Sequence, residues 1–127
     1  MGRCIVVEEG GLVRDVVCAL LNELNFETVG AEEVEIALGL IHAEATDLVV
    51  LDWDLPNLGA LDVLTGIASM ADGERPYVLI VASECDPKQL ALAREAGVTD
   101  YILKPIDNDI FRRMVSAISP VGAERVA

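Results

Sequence analysis

The chain has 127 residues, of which 53% are hydrophobic and only 4% aromatic, and it carries a formal net charge of −13. This length suits a single domain with one aliphatic core. The negative charge disfavours nucleic acid as a direct partner, because phosphate backbones are bound by Lys and Arg, and it also disfavours anionic membrane surfaces.

Other features of the sequence predict a cytoplasmic protein. No apolar run approaches the roughly 20 residues of a membrane span, and Glu8 and Glu9 interrupt any signal-peptide pattern near the N-terminus. The cysteines Cys4, Cys18 and Cys85 are odd in number and widely spaced. This spacing favours free thiols in a reducing compartment.

Short apolar runs alternate with segments in which apolar residues recur at helical spacing. Strands are predicted at about 3–7, 26–30, 48–51, 77–82 and 99–103. Helices are predicted at about 12–25, 32–43, 58–71, 87–97 and 108–118. Asp86 before Pro87 predicts a helix start, Gly97 a helix end, and Asp107 the cap of the last helix.

Such alternation predicts an α/β fold in which a parallel sheet is covered by helices on both faces. The domain is expected to span residues 1–118, followed by a flexible C-terminal tail at 119–127.

Chemically useful residues follow three of the predicted strands: Glu8-Glu9 after the first, Asp52 and Asp54 after the third, and Lys104-Pro105 after the fifth. In an open parallel sheet, ligands bind beyond the carboxyl ends of the strands. If these strands are neighbours, four carboxylates meet one ammonium, and Mg²⁺ is a suitable additional counter-charge. A metal and a lysine beside a carboxylate suit phosphoryl transfer onto Asp52.

Each of these features has a plainer interpretation when it is taken alone. An acidic pair after a strand is often a solvated loop, a lone Asp is often a cap, and a Lys-Pro dipeptide is often a turn. The prediction therefore rests on their order along the chain and on the apolar strands that precede them.

Over about residues 3–118 this order resembles the receiver domain of bacterial two-component response regulators. The run Asp52-Trp53-Asp54-Leu55-Pro56-Asn57 is similar to the site of the stand-alone chemotaxis regulator. Lys104-Pro105 also falls where that pattern expects it, 52 residues after Asp52 and with no gap needed. The resemblance implies a flavodoxin-like (βα)5 fold, with a doubly wound parallel sheet of strand order 2-1-3-4-5.

The resemblance also implies a role for each site residue. Asp52 is the phosphoacceptor, Lys104 contacts the phosphoryl group, and the bond between Lys104 and Pro105 is cis. Mg²⁺ is held by Glu9, the Asp52 carboxylate and the Asp54 backbone carbonyl, with Glu8 acting through water. Further phosphoryl-binding or switch positions are the backbones of Trp53 and Ala82, and the residues Ser83, Tyr101 and Pro105.

A protein of this family accepts its phosphoryl group from a sensor histidine kinase or a histidine phosphotransfer protein. It signals by binding a downstream protein, here through a face formed by residues 87–118. The resemblance implies a monomer or weak homodimer that is not an enzyme beyond self-phosphorylation and self-dephosphorylation.

The sequence departs from the family at three places. Glu9 is one methylene longer than the usual Asp, which predicts weaker Mg²⁺ binding. Ala82 stands where the family has Ser or Thr; Ser83 replaces that hydroxyl only if the strand ends and the loop turns, since adjacent strand residues face opposite ways. Tyr101 is then either a switch aromatic or a packing residue. At the third place, Gly59-Ala60 stand where the family commonly has an acidic residue or Gly followed by Gly, and Ala60 is expected only to constrain the turn. Asp54 also adds a carboxylate near the phosphoryl group, which is predicted to alter dephosphorylation.

Two alternative functions remain open from the sequence. The Glu-Glu pair and Ala82 favour a degenerate receiver that binds partners independently of phosphorylation. Asp52-Trp53-Asp54 also resembles the first motif of haloacid-dehalogenase-like phosphatases, with Asp52 as nucleophile, Asp54 as acid/base, and Ser83 and Lys104 in its later motifs. In that family, however, the Asp-x-Asp motif follows the first strand.

Overall fold

The computed structural model describes residues 2–84, 86–98 and 100–126, with side chains up to residue 118. Five parallel strands form one sheet in the order β2-β1-β3-β4-β5, which confirms the predicted topology. The strands are β1 (Arg3–Val7), β2 (Glu27–Ala31), β3 (Leu48–Asp52), β4 (Tyr77–Ala82) and β5 (Asp100–Leu103).

Five helices connect and flank the strands: α1 (Gly11–Glu23), α2 (Val34–Ala43), α3 (Gly59–Ala68), α4 (Pro87–Glu95) and α5 (Asn108–Val126). Short 3-10 helices lie at Pro56–Leu58 and Asp72–Glu74. Helix α5 continues beyond residue 118, where the sequence analysis ended it.

The predicted helix boundaries have a local physical basis. The Asp86 side chain accepts a hydrogen bond from the Lys88 N–H at 2.8 Å, and Asp107 accepts one from the Ile110 N–H at 3.0 Å. Both carboxylates therefore satisfy amides at the first turn of a helix. Gly97 adopts φ +98°, a conformation that favours glycine and terminates α4.

The core lies on both faces of the sheet because alternate strand residues point in opposite directions. One face packs against α2 and α3 through Ile5, Val7, Val49, Leu51, Ile41 and Leu64. The other face packs against α1 and α5 through Cys4, Val6, Leu48, Val50, Leu21 and Phe111. Strands covered on both faces read as continuous apolar runs, and β1 and β3 are such strands.

Two of the three predicted free thiols can be described. Cys4 is fully buried and Cys18 is half-buried, and neither forms a disulfide. Burial is the main cause that raises the pKa of both thiols. Cys85 lies outside the described residues. In the described ranges, no helix combines the length and apolarity that crossing a membrane requires.

Candidate functional site

The strand register brings the ends of four strands to one edge of the sheet. Val7 of β1 lies beside Leu51 of β3, and Asp52 lies beside Val81 of β4. Ala82 in turn lies beside Leu103 of β5. The ends of these strands therefore lie side by side. This places the acidic pair, Asp52 and Lys104 at one edge of the sheet, as predicted from the sequence.

The Lys104 ammonium lies among three carboxylates. Its Nζ is 3.0 Å from Asp52 Oδ1, 3.3 Å from Asp54 Oδ2 and 3.4 Å from Glu8 Oε1. Burial alone would lower the pKa of Lys104, but these carboxylates, led by Asp52, raise it above its ordinary value. When all three carboxylates are ionised, one ammonium leaves two negative charges uncompensated.

Asp52 is the most buried of these acidic groups, with 4% of its surface exposed. Its Oδ1 accepts hydrogen bonds from Lys104 Nζ and, at 2.9 Å, from the Asp54 N–H. These two donors fix the carboxylate at the end of β3. A buried carboxylate with a cation at hydrogen-bond distance is a suitable acceptor for an electrophilic group.

The two members of the acidic pair occupy different environments. Glu8 is 6% exposed, and its Oε2 accepts a hydrogen bond from the Gly10 N–H at 3.0 Å. Burial, reinforced by Asp52, raises the pKa of Glu8 despite the Gly10 bond and Lys104. Glu9 is exposed. The sequence could not show that Glu8, rather than Glu9, packs closest to Lys104.

The donor set is compatible with Mg²⁺. The site offers hard carboxylate oxygens and an excess of negative charge, which a small divalent cation requires. In the part of the chain with described side chains, no group of three or more His, Cys, Asp or Glu residues is arranged to hold a metal ion. The ligand set that the resemblance implies does not need three such side chains, because one of its three direct ligands is the Asp54 backbone carbonyl.

Backbone groups at the site form hydrogen bonds within the protein. The Trp53 N–H donates to Val81 O at 2.8 Å, and Ala82 O accepts from the Lys104 N–H at 2.8 Å, so both extend the sheet ladder. The amide that contacts Asp52 belongs to Asp54, and the amide of Ser83 points toward the Asp54 side chain. The roles of the Trp53 and Ala82 backbones toward a phosphoryl group stay predictions, and the Asp54 and Ser83 amides are two further donors that the sequence did not indicate.

Ser83 reaches the site because β4 ends at Ala82 and the chain turns. Its Oγ donates to Asp54 Oδ2 at 2.7 Å and its N–H donates to the same oxygen at 3.0 Å. Burial acts to raise the pKa of Asp54, but the hydrogen bonds from Ser83 and the Lys104 ammonium outweigh it and hold this pKa below its usual value.

The remaining predicted residues lie around these groups. The bond between Lys104 and Pro105 is cis, as the resemblance implies. Tyr101 lines a cavity under α4 together with Trp53 and Ala82, and the Tyr101 side chain is exposed. Ala82, which lacks the hydroxyl found in the family, and Tyr101, the candidate switch residue, therefore line the same cavity.

The chain is similar to response regulator receiver proteins in both sequence and fold. The family model described as the response regulator receiver domain matches residues 4–116. The chain is 26% identical over 117 residues to the chemotaxis protein CheY of Pseudomonas aeruginosa, covering 91% of this chain and 94% of that protein. A solved structure of Vibrio cholerae CheY4 superimposes with a TM-score of 0.85 at 16% identity, covering 93% of this chain and 98% of that one.

A longer relative contains a similar segment. The chain is 31% identical over 117 residues to the CAI-1 autoinducer sensor kinase/phosphatase CqsS of Vibrio cholerae, which covers 91% of this chain. The chain spans only 17% of that relative's length. The similarity therefore concerns one segment of that protein.

Proposed function

The chain belongs to the response regulator receiver family, and on that premise we propose that Asp52 accepts a phosphoryl group from a phosphohistidine. The donor would be a sensor histidine kinase or a histidine phosphotransfer protein. The observation that carries the proposal is the 3.0 Å contact between Lys104 Nζ and the buried Asp52 carboxylate. The site then serves signalling and not substrate turnover, apart from self-phosphorylation and self-dephosphorylation.

In the transfer step, an Asp52 carboxylate oxygen attacks the phosphorus while the phosphorus–nitrogen bond of the phosphohistidine breaks. The imidazole nitrogen keeps the electron pair, and Asp52 becomes an aspartyl phosphate. Lys104 is placed to neutralise charge on the phosphoryl oxygens, which is the main contribution a protein makes to this chemistry. The Asp54 N–H holds the carboxylate in position.

Mg²⁺, when bound, would be a second cation, beside Lys104, that neutralises negative charge on the phosphoryl oxygens. We assign its ligands to the Asp52 and Glu9 carboxylates and the Asp54 backbone carbonyl, with Glu8 acting through water. Glu9 is exposed at the edge of the site, whereas Glu8 is held by Gly10 and Lys104. The longer Glu9 side chain is expected to bind the metal more weakly than Asp.

The downstream partner is expected to bind the face formed by α4, β5 and α5. Four apolar side chains on this face are exposed: Leu92, Tyr101, Leu103 and Ile110. Exposed apolar side chains on one side of a domain suit protein–protein contact. We propose that the protein signals through this face as a monomer or weak homodimer in the cytoplasm.

A degenerate receiver is the second candidate function. The absence of a hydroxyl on Ala82 favours it, as does the engagement of Ser83 by Asp54. In this alternative the fold binds partners without phosphorylation. The family assignment removes the support for a haloacid-dehalogenase-like phosphatase, because it places the Asp-x-Asp motif in a receiver.

Trp53, the single tryptophan, adjoins Asp52 and reports directly on the site. Its fluorescence is followed as Mg²⁺ and then beryllofluoride or phosphoramidate are added to the wild-type protein. The proposal predicts a Mg²⁺-dependent change that is lost in Asp52→Asn and kept in Asp62→Asn, a matched change at an exposed residue of α3. A wild-type protein that gives no response would favour the degenerate receiver.

A further inference from the structure

One carboxylate oxygen beside Asp52 collects three donors. Asp54 Oδ2 accepts from the Ser83 hydroxyl at 2.7 Å and the Ser83 N–H at 3.0 Å, and it lies 3.3 Å from Lys104 Nζ. Asp54 and Ser83 are 29 residues apart in the chain and belong to the loops after β3 and β4. The contact therefore joins the two loops that border Asp52.

The same donors suit a phosphoryl group on Asp52. Such a group places anionic oxygens next to Asp52 Oδ1, and Lys104 Nζ already lies 3.0 Å from that atom. Because this ammonium also contacts Asp54, the Asp54 carboxylate and a phosphoryl group would share one region of space and one set of donors. Two anions cannot share these donors without strong repulsion.

We propose that the Asp54 carboxylate is an internal competitor that occupies the phosphoryl-oxygen donors until phosphorylation displaces it. Ser83 is then the hydroxyl that serves the phosphoryl group, one residue after the position at which Ala82 lacks one. This inference rests on the proposed function of Asp52 as phosphoacceptor. It adds a regulatory contact that holds the unphosphorylated state.

The exposure of the acidic side chains identifies Asp54 as the one that moves. The Asp54 side chain is 38% exposed, whereas those of Glu8 and Asp52 are 8% and 4% exposed. Asp54 can exchange its three donors for water by rotating outward, since charged groups regain hydration at the surface. Displacement also frees the Ser83 hydroxyl and amide from Asp54 and loosens the contact between the two loops.

The competition is tested by measuring the affinity of Mg²⁺-loaded protein for beryllofluoride through Trp53 fluorescence. Asp54→Ala is expected to bind about tenfold more tightly, because it removes a like charge and frees charge-assisted hydrogen-bond donors. Asp54→Asn keeps the shape of the side chain and removes its charge. This variant tests the same competition if Asp54→Ala does not fold. Glu84→Gln, at the exposed residue after Ser83, controls for the removal of one nearby negative charge.

A double-mutant cycle with Ser83→Ala separates competition for donors from charge alone. The proposal predicts that Ser83→Ala weakens beryllofluoride binding by about fivefold in the Asp54→Ala background but by less than twofold in wild type, where that hydroxyl is already engaged. Ser83→Thr, which keeps the hydroxyl, should restore the affinity. Equal effects of Ser83→Ala in both backgrounds would overturn the inference.

The outcomes distinguish this inference from the function on which it rests. If wild type binds beryllofluoride and Asp54→Ala binds no more tightly than Glu84→Gln, the internal competitor is wrong and the phosphoacceptor stands. If wild type does not bind beryllofluoride and Asp54→Ala does, both the phosphoacceptor and the internal competitor are supported. If neither the wild type nor any Asp54 variant binds, the proposed function is contradicted, and the competitor with it.

Discussion

Arg3 and Lys104 are two cationic side chains at opposite ends of the same sheet, and they differ in the charge of the groups around them. Arg3 begins β1, and its Nη1 donates to Leu40 O at 3.1 Å, to Glu44 O at 3.1 Å and to Thr46 Oγ1 at 2.8 Å. Lys104 follows β5 and faces three carboxylates. Arg3 therefore bonds mainly to neutral acceptors, whereas Lys104 bonds to charges that it only partly compensates.

The difference separates a structural link from the proposed phosphorylation site. The acceptors of Arg3 lie at the end of α2 and just after it, so this side chain ties the α2–β3 connection to β1. The partners of Lys104 retain an excess of negative charge, which a divalent cation or a rearrangement of the acidic groups would relieve. Substitutions at Arg3 and Lys104 should therefore differ in their effects on phosphorylation and on stability.

Replacing Lys104 by Met is expected to slow phosphorylation by roughly 100-fold, because it removes the positive charge beside the developing phosphoryl charge. Arg3→Met, the same change at the other end of the sheet, should leave this rate within about twofold, since no reacting group lies there. Initial rates of label incorporation from phosphoramidate measure both. Equal losses of phosphorylation rate in the two variants would show that Lys104 has no special role at Asp52.

Arg3→Met is expected to lower the free energy of unfolding by about 2–3 kcal/mol, because the part-buried acceptors Leu40 O and Thr46 Oγ1 and the exposed Glu44 O lose their donor. Urea denaturation followed by circular dichroism measures the change. Arg113→Met, at an exposed position of α5, is the control and should stay within about 0.5 kcal/mol of wild type. A stable Arg3→Met would show that Arg3 is not a structural link.

Asp52→Asn is expected to raise the free energy of unfolding by about 1 kcal/mol, because it removes a charge that repels the buried Glu8 while Lys104 keeps Glu8 and Asp54 as partners. The same urea experiment applies, with Asp62→Asn as the matched change. A decrease in stability larger than that of Asp62→Asn would mean that the pairing of Asp52 with Lys104 outweighs the repulsion.

Glu9→Asp is expected to tighten Mg²⁺ binding by about threefold, because the shorter carboxylate suits the strict octahedral geometry of this ion. The Mg²⁺ titration is followed by Trp53 fluorescence. Glu35→Asp, at an exposed position of α2, should leave the affinity unchanged. An unchanged affinity in Glu9→Asp would argue against Glu9 as a direct ligand.

Those features of the fold that depend on local sequence could be predicted. The apolar runs of β1, β3 and β4 arise because these strands are covered on both faces, and Asp86 and Gly97 act through the backbone of their own helix. The strand order and the cis bond at Pro105 came from the family resemblance and are confirmed. The continuation of α5 beyond residue 118 was missed.

The side-chain arrangement at the site depends on contacts between distant segments and could be predicted only in part. The sequence placed Glu8, Asp52 and Lys104 together, but it could not tell which glutamate turns inward. The bond between Ser83 and Asp54 depends on how two loops turn after their strands end. The hydrogen bonds that the Asp54 and Ser83 amides donate to carboxylates likewise depend on how these loops turn.

Peptide mapping by mass spectrometry can show whether Asp52 is the phosphoacceptor. Wild-type protein is incubated with Mg²⁺ and phosphoramidate, and its intact mass gives the number of phosphoryl groups per chain. Borohydride then reduces the acyl phosphate to the alcohol of homoserine, with loss of phosphate, and the position of that homoserine is determined. We predict one phosphoryl group per chain and homoserine at position 52, both absent from Asp52→Asn. Mg²⁺-dependent phosphorylation of the same yield in Asp52→Asn would contradict this prediction.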